Sequence, residues 1–108
     1  MTELTITRED RDSRHGRWVA RIAGIDAEGE ITFTRRGPGR ISADHTGVPE
    51  TMAGHGVAQA LLARMLEDAR AEGFRIIPLC PFVRKQYARH PEWADLFTIA
   101  PGEDPAPL

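Results

Sequence analysis

One stretch constrains this chain more than any other. From Val57 to Glu72 the apolar residues Val57, Ala58, Leu61, Leu62, Met65, Leu66 and Ala69 recur at helical spacing, with Arg64, Glu67, Asp68 and Ala71 opposite. The pattern predicts one amphipathic helix over Gly56–Glu72, whose apolar stripe must be buried against something else. Gly54-His55-Gly56 opens it, and Gly73 stands where a left-handed C-cap is expected. A chain of 108 residues with one long helix has to supply the opposing surface from its remaining segments, and those read as strands.

Leu4, Ile6 and Arg8 alternate with polar residues, as do Trp18, Ala20 and Ile22. Glu30 to Arg35 continues as a third strand and Arg40 to Thr46 as a fourth. The turns between them are too short for crossover helices, so an antiparallel meander is expected. After the helix, Phe74 to Cys80 is a short apolar run. It reads as a buried fifth strand, parallel to the fourth across a right-handed crossover. Pro78 lacks a ladder donor, so pairing must break or splay near it. A last helix is predicted over Phe82–Arg89, ending before Pro91. The expectation is one α/β (α+β) domain over residues 1–97, a mixed sheet with a short C-terminal helix. The Pro-rich, acidic tail 98–108 is expected to be disordered.

Charge and cysteine content exclude several classes of function. The formal net charge is −2, and the basic run Arg8, Arg11, Arg14, Arg17 and Arg21 is interleaved with acids, so no nucleic-acid partner is expected. Met1-Thr2-Glu3-Leu4 carries no basic-then-apolar signal, and no apolar run approaches the ~20 residues of a membrane span. One cysteine allows no internal disulfide. No membrane partner and a cytoplasmic location follow as expectations.

The glycine turn is the first candidate site. A helix N-terminus offers unpaired N–H groups and the positive end of the helix dipole, and glycines let phosphate oxygens approach the backbone. Cys80 ends the next strand, where ligands bind in splayed or parallel sheets. By itself a lone Cys is a small apolar residue as readily as a reactive thiol. The four histidines, His15, His45, His55 and His90, show no metal-ligand spacing, so no metal is expected.

Four segments together, His45-Thr46-Gly47-Val48-Pro49, Gly54-His55-Gly56-Val57-Ala58, Pro78-Leu79-Cys80 and His90-Pro91-Glu92-Trp93, resemble the minimal single-domain GNAT-type N-acetyltransferases. The resemblance spans roughly Ile31 to Phe97. It implies a GNAT-like sheet in which the fourth and fifth strands part, and acetyl-CoA as cosubstrate. The backbone of Ala53, Gly54, His55, Gly56, Val57 and Ala58 would hold the pyrophosphate. His45, Thr46, Gly47 and Val48 would lie along the pantetheine arm, with Cys80 and Phe82 nearby; Lys85 either meets CoA phosphates or stays solvated. The family motif has Gln or Arg where this chain has Ala53, which removes one side-chain phosphate donor.

For catalysis the resemblance implies transfer of acetyl to an amine, with Tyr87 as the acid that protonates the departing thiolate. Cys80 is either a nucleophile helped by His45 or a wall of the pocket, and Tyr87 is either that acid or plain core. The chain has few residues to wall an acceptor site, so the acceptor is expected to be large, such as a protein amine. The alternative is a CoA-binding sensor or interaction module without turnover. A dinucleotide fold is disfavoured, because Phe74 to Cys80 offers no acidic ribose-binding residue.

Overall fold

A computed structural model describes residues 3–106. The outermost positions of the expected domain and tail, Met1, Thr2, Pro107 and Leu108, lie outside the described residues. Five strands form one sheet in chain order: β1 (Leu4–Asp10), β2 (His15–Ile22), β3 (Glu28–Arg35), β4 (Arg40–Gly47) and β5 (Arg75–Pro78). The first four pair antiparallel and β5 joins β4 in parallel. The long helix α1 (Val57–Glu72) makes the crossover, and α2 (Pro81–Arg89) follows β5. This is the mixed α/β sheet expected from the sequence.

Alternation along the strands decides which face carries the core. Trp18, Ala20 and Ile22 of β2 and Ile31 and Phe33 of β3 turn to one face. There they meet Val57, Leu61, Leu62, Met65, Leu66 and Ala69 of α1, and all are buried. Gly29 lets the start of α1 come close, since a Cβ there would sit 2.7 Å from Val57 Cγ1. Polar ties fix the other end: Trp18 Nε1 donates to Asp68 at 2.8 Å, and Arg64 Nη1 donates to the Ile6 carbonyl at 3.0 Å. Gly73 closes α1 at φ 77°, its N–H on the Ala69 carbonyl, the left-handed cap read from the sequence.

The opposite face of β1 to β3 is polar and charge-paired. Arg17 meets Glu9 at 3.0 Å and Glu30 at 2.9 Å, while Arg21 bridges Glu9 and Glu28. The arginine run of the sequence is therefore largely spent on carboxylates. Val19 is buried beneath this layer.

Three local details differ from expectation. β5 is shorter than Phe74–Cys80: it ends at Pro78, and Leu79 N turns back to the Ile77 carbonyl at 2.9 Å. Proline at the last position explains the stop, because the ladder loses its donor there. The second helix begins one residue early, with Pro81 at its first position, where the missing N–H costs nothing. Residues Pro91–Leu96 form a 3-10 turn that leads Phe97 to a bridge beside Ile76.

Candidate functional site

The β4–β5 ladder runs from the pair Arg40–Arg75 to the pair Ala43–Pro78 and then stops, although β4 continues to Gly47. Cys80 N still donates to the Ala43 carbonyl at 2.8 Å, holding the start of α2 against the last paired residue. Beyond that point the two chains part. Within the gap Thr46 Oγ1 lies 3.3 Å from Cys80 Sγ, and Cys80 is only 3% exposed.

β4 also carries a bulge. Thr32 pairs with His45 but Phe33 pairs with Ala43, so Asp44 is the extra residue. A bulge takes a residue out of the ladder and re-aims its neighbours, and bulges are over-represented beside active sites. Here it sends Thr46, opposite buried Ile31, toward the thiol. His45, opposite Thr32, goes to the other face. His45 is exposed, and its Nε2 lies where a Cβ on Gly47 would come within 3.1 Å. The polar partner of the thiol is thus Thr46, and the structure does not bring His45 to Cys80.

The glycine turn is exposed and open. Gly54 and Gly56 have φ of 82° and 69°, and an added Cβ at either would meet no atom within 4 Å. Gly56 is the N-cap of α1, with no side chain capping the helix and no acidic residue in the first turn. The first-turn amides of Val57, Ala58 and Gln59 therefore have no acceptor within the helix. The amide of Ala53 differs from its expected role, since it donates to the Glu50 carbonyl at 2.9 Å in a short 3-10 turn. His55 is exposed on the same turn, and Val48 is half-buried between β4 and that turn.

On α2, Phe82 is half-buried and Lys85 is exposed. Tyr87 is 1% exposed, stacks on Phe97 at 3.9 Å between ring centroids, and donates its hydroxyl to the Ile99 carbonyl at 2.6 Å. Burial, with Glu103 and Asp95 adding to it, raises the Tyr87 pKa above its usual value. Arg84 reaches Asp104 at 3.3 Å and the Leu79 carbonyl at 2.9 Å. His90 stacks on Trp93 and meets Glu92 at 3.0 Å. Among the described residues no three His, Cys, Asp or Glu side chains stand together as a metal site. No helix among them is long and apolar enough to cross a membrane.

Sequence reasoning missed Asp44 and its bulge. Asp44 accepts from the Thr34 hydroxyl at 2.5 Å and from the Ser42 hydroxyl at 2.6 Å. An Asp inside a polar strand carries no signal of its own, because one inserted residue is invisible until its partner strand is known.

No curated protein matches the chain. Residues 17–96, from β2 through the 3-10 turn after α2, match the family model described as GCN5-related N-acetyl-transferase. The match takes in most of β2, β3, β4 and β5, the glycine turn, α1 and the parting of β4 from β5, and on that match the chain belongs to the GCN5-related N-acetyltransferase family.

Proposed function

We propose that the protein binds acetyl-CoA across the mouth of α1 and the β4–β5 gap, and passes the acetyl group directly to an amine. The observation that carries this reading is the parting of β4 from β5 beyond Ala43 and Pro78, next to a helix mouth whose first amides have no acceptor within the helix. An anion is stabilised at such a mouth by the free N–H groups and the helix dipole together. A pantetheine arm laid along His45, Thr46, Gly47 and Val48 would carry the thioester toward Cys80 and Phe82, with Lys85 outside as a solvated counter-charge.

Transfer needs an amine nitrogen to attack the thioester carbonyl. The C–N bond forms, the C–S bond breaks and CoA leaves as thiolate, which takes a proton from water. An amide freed by the β4 bulge suits the developing oxyanion. In this reading the amine gives up its proton to solvent, and His45 stays exposed on the face away from the thiol. Cys80 is a wall of the pocket in this account: its described polar neighbour is a hydroxyl, whereas a cysteine nucleophile needs a base or positive charge beside it. The Tyr87 hydroxyl is engaged by Ile99, and its role here is to hold α2 against the segment after Phe97.

The test is release of CoA thiol from acetyl-CoA with a primary amine present, alongside intact mass of the protein. Amine-dependent release with no acetylated Cys80 supports direct transfer. An acetyl adduct that appears on wild type, is absent from Cys80→Ala and is discharged by amine would replace it with the covalent route. Tight CoA binding with no release would make the chain a CoA-binding module.

A further inference from the structure

At the end of the sheet far from the mouth of α1, three pieces of backbone lie side by side. Arg35 N donates to the Arg14 carbonyl at 2.6 Å, which joins the end of β3 to the hairpin between β1 and β2. The turn from β3 to β4 closes with Arg36 N on the Arg40 carbonyl at 3.0 Å. Arg75 N, at the start of β5, donates to the Gly39 carbonyl of that turn at 2.9 Å. These bonds bring Arg11, Arg14, Arg36, Arg40 and Arg75 to one rim of the molecule. With 16 residues at about 1.5 Å each, α1 sets the rim roughly 24 Å from the glycine turn.

Carboxylates on the same rim are already engaged. Asp10 pairs with Arg35 at 3.0 Å, Asp12 with His15 at 3.0 Å and Glu72 with Arg8 at 2.6 Å. Among the described residues none of the five rim arginines has a carboxylate partner, and Arg36 donates Nε only to the Ser42 hydroxyl. Arg11, Arg14, Arg40 and Arg75 are exposed. Arg40 and Arg75 moreover occupy directly paired positions on β4 and β5. Like charges so placed repel and cost the sheet stability, and an anion from outside the chain removes that cost. The net charge of −2 conceals this rim, because the balancing acids lie elsewhere in the molecule.

A guanidinium takes a carboxylate or a phosphate through two parallel hydrogen bonds. Two features favour carboxylates on a peptide. No aromatic ring stands exposed on the rim for bases to stack on, since Phe74 is half-buried beside Trp18 with ring centroids 6.5 Å apart. Asp10, Asp12 and Glu72 also stand among the arginines and would repel the uniform phosphate lattice of a duplex. A peptide can place its carboxylates only where the arginines are. From β2 to β5 are three strand spacings, about 14 Å, which an extended peptide of about five residues spans. We propose that this rim is a docking surface for an acidic, extended segment of a partner protein. The inference is independent of the transfer reading, because the rim lies at the other end of α1 from the glycine turn.

The test is fluorescence anisotropy of a labelled hexaglutamate peptide titrated with the full chain at low ionic strength. Labelled hexaglutamine, a single-stranded thymidine hexamer and phosphatidylserine vesicles are the comparison probes. Saturable binding of hexaglutamate is expected, with none of hexaglutamine and with loss at high salt. The double variant Arg40→Ala, Arg75→Ala is expected to weaken binding about tenfold. Arg89→Ala, an exposed arginine at the end of α2, should stay within about twofold of wild type. Should the double variant fold poorly, Arg14→Ala on the hairpin is the second variant, with about threefold weakening expected. No saturable binding of hexaglutamate overturns the proposal, as does equal weakening by Arg89→Ala. Tighter binding of the thymidine hexamer or of the vesicles overturns it in favour of a nucleic acid or a membrane. Release of CoA thiol is measured on the same double variant and should be unchanged, so a failure of peptide binding and a failure of acetyl transfer are read apart.

Discussion

Thr46 and Cys80 touch across the gap where β4 and β5 have stopped pairing, with Oγ1 and Sγ 3.3 Å apart. One end of this contact lies on the strand proposed to carry the pantetheine, and the other is the N-cap of α2. The contact gives the thiol a structural role that needs no ionisation. Cys80→Ala is accordingly expected to keep amine-dependent transfer within a few-fold of wild type. It should cost about 1 kcal/mol of stability for the lost sulfur contacts. Parallel turnover assays and urea unfolding curves check both halves. Complete loss of turnover in a folded variant would favour the covalent route.

Tyr87 separates the packing role from the acid role. Tyr87→Phe keeps the stack on Phe97 and removes the donor to the half-buried Ile99 carbonyl, so a loss of about 1 kcal/mol is expected. Turnover at a temperature where the variant is folded should be unchanged. A drop of a hundredfold or more, on the scale of a lost general acid, would return the hydroxyl to the chemistry.

The hairpin between β1 and β2 supplies a pH prediction. Asp12 accepts hydrogen bonds from the amides of Arg14 and His15, and from the His15 ring at 3.0 Å. These bonds stabilise the charged form and lower its pKa from 3.8 to about 2, the Arg14 amide contributing most. Because the folded value is the lower one, the stabilisation is fully present above about 3.8 and is lost as pH falls toward 2. A side-chain carboxyl NMR titration should place the midpoint near 2, and a midpoint at 3.8 would show that these bonds are not made in solution.

Much of this architecture was readable because it follows from short-range periodicity. The α1 stripe and its closing Gly73 depend on nearest neighbours along the helix, and the meander depends on turns a few residues long. Pro78 announced the end of the β4–β5 ladder for a chemical reason, the missing N–H. What could not be read depends on contacts made across the fold. The Asp44 bulge exists only relative to β3, and it alone sends His45 away from the thiol. Tyr87 meets Ile99 because the 3-10 turn at Pro91–Leu96 brings the chain back, and nothing in the local sequence around Tyr87 encodes that return.

Gly56 is the residue on which the central claim turns. Its φ of 69° costs a non-glycine residue about 1–2 kcal/mol, and it sits at the open mouth of α1. The most direct test is calorimetric titration of CoA into wild type and Gly56→Ala, with folding of each monitored. The account predicts one saturable site on wild type, weakened about tenfold in the variant as the cradle's amides are displaced or screened by the new Cβ. Absence of CoA binding to folded wild type, or equal binding to both proteins, would contradict it.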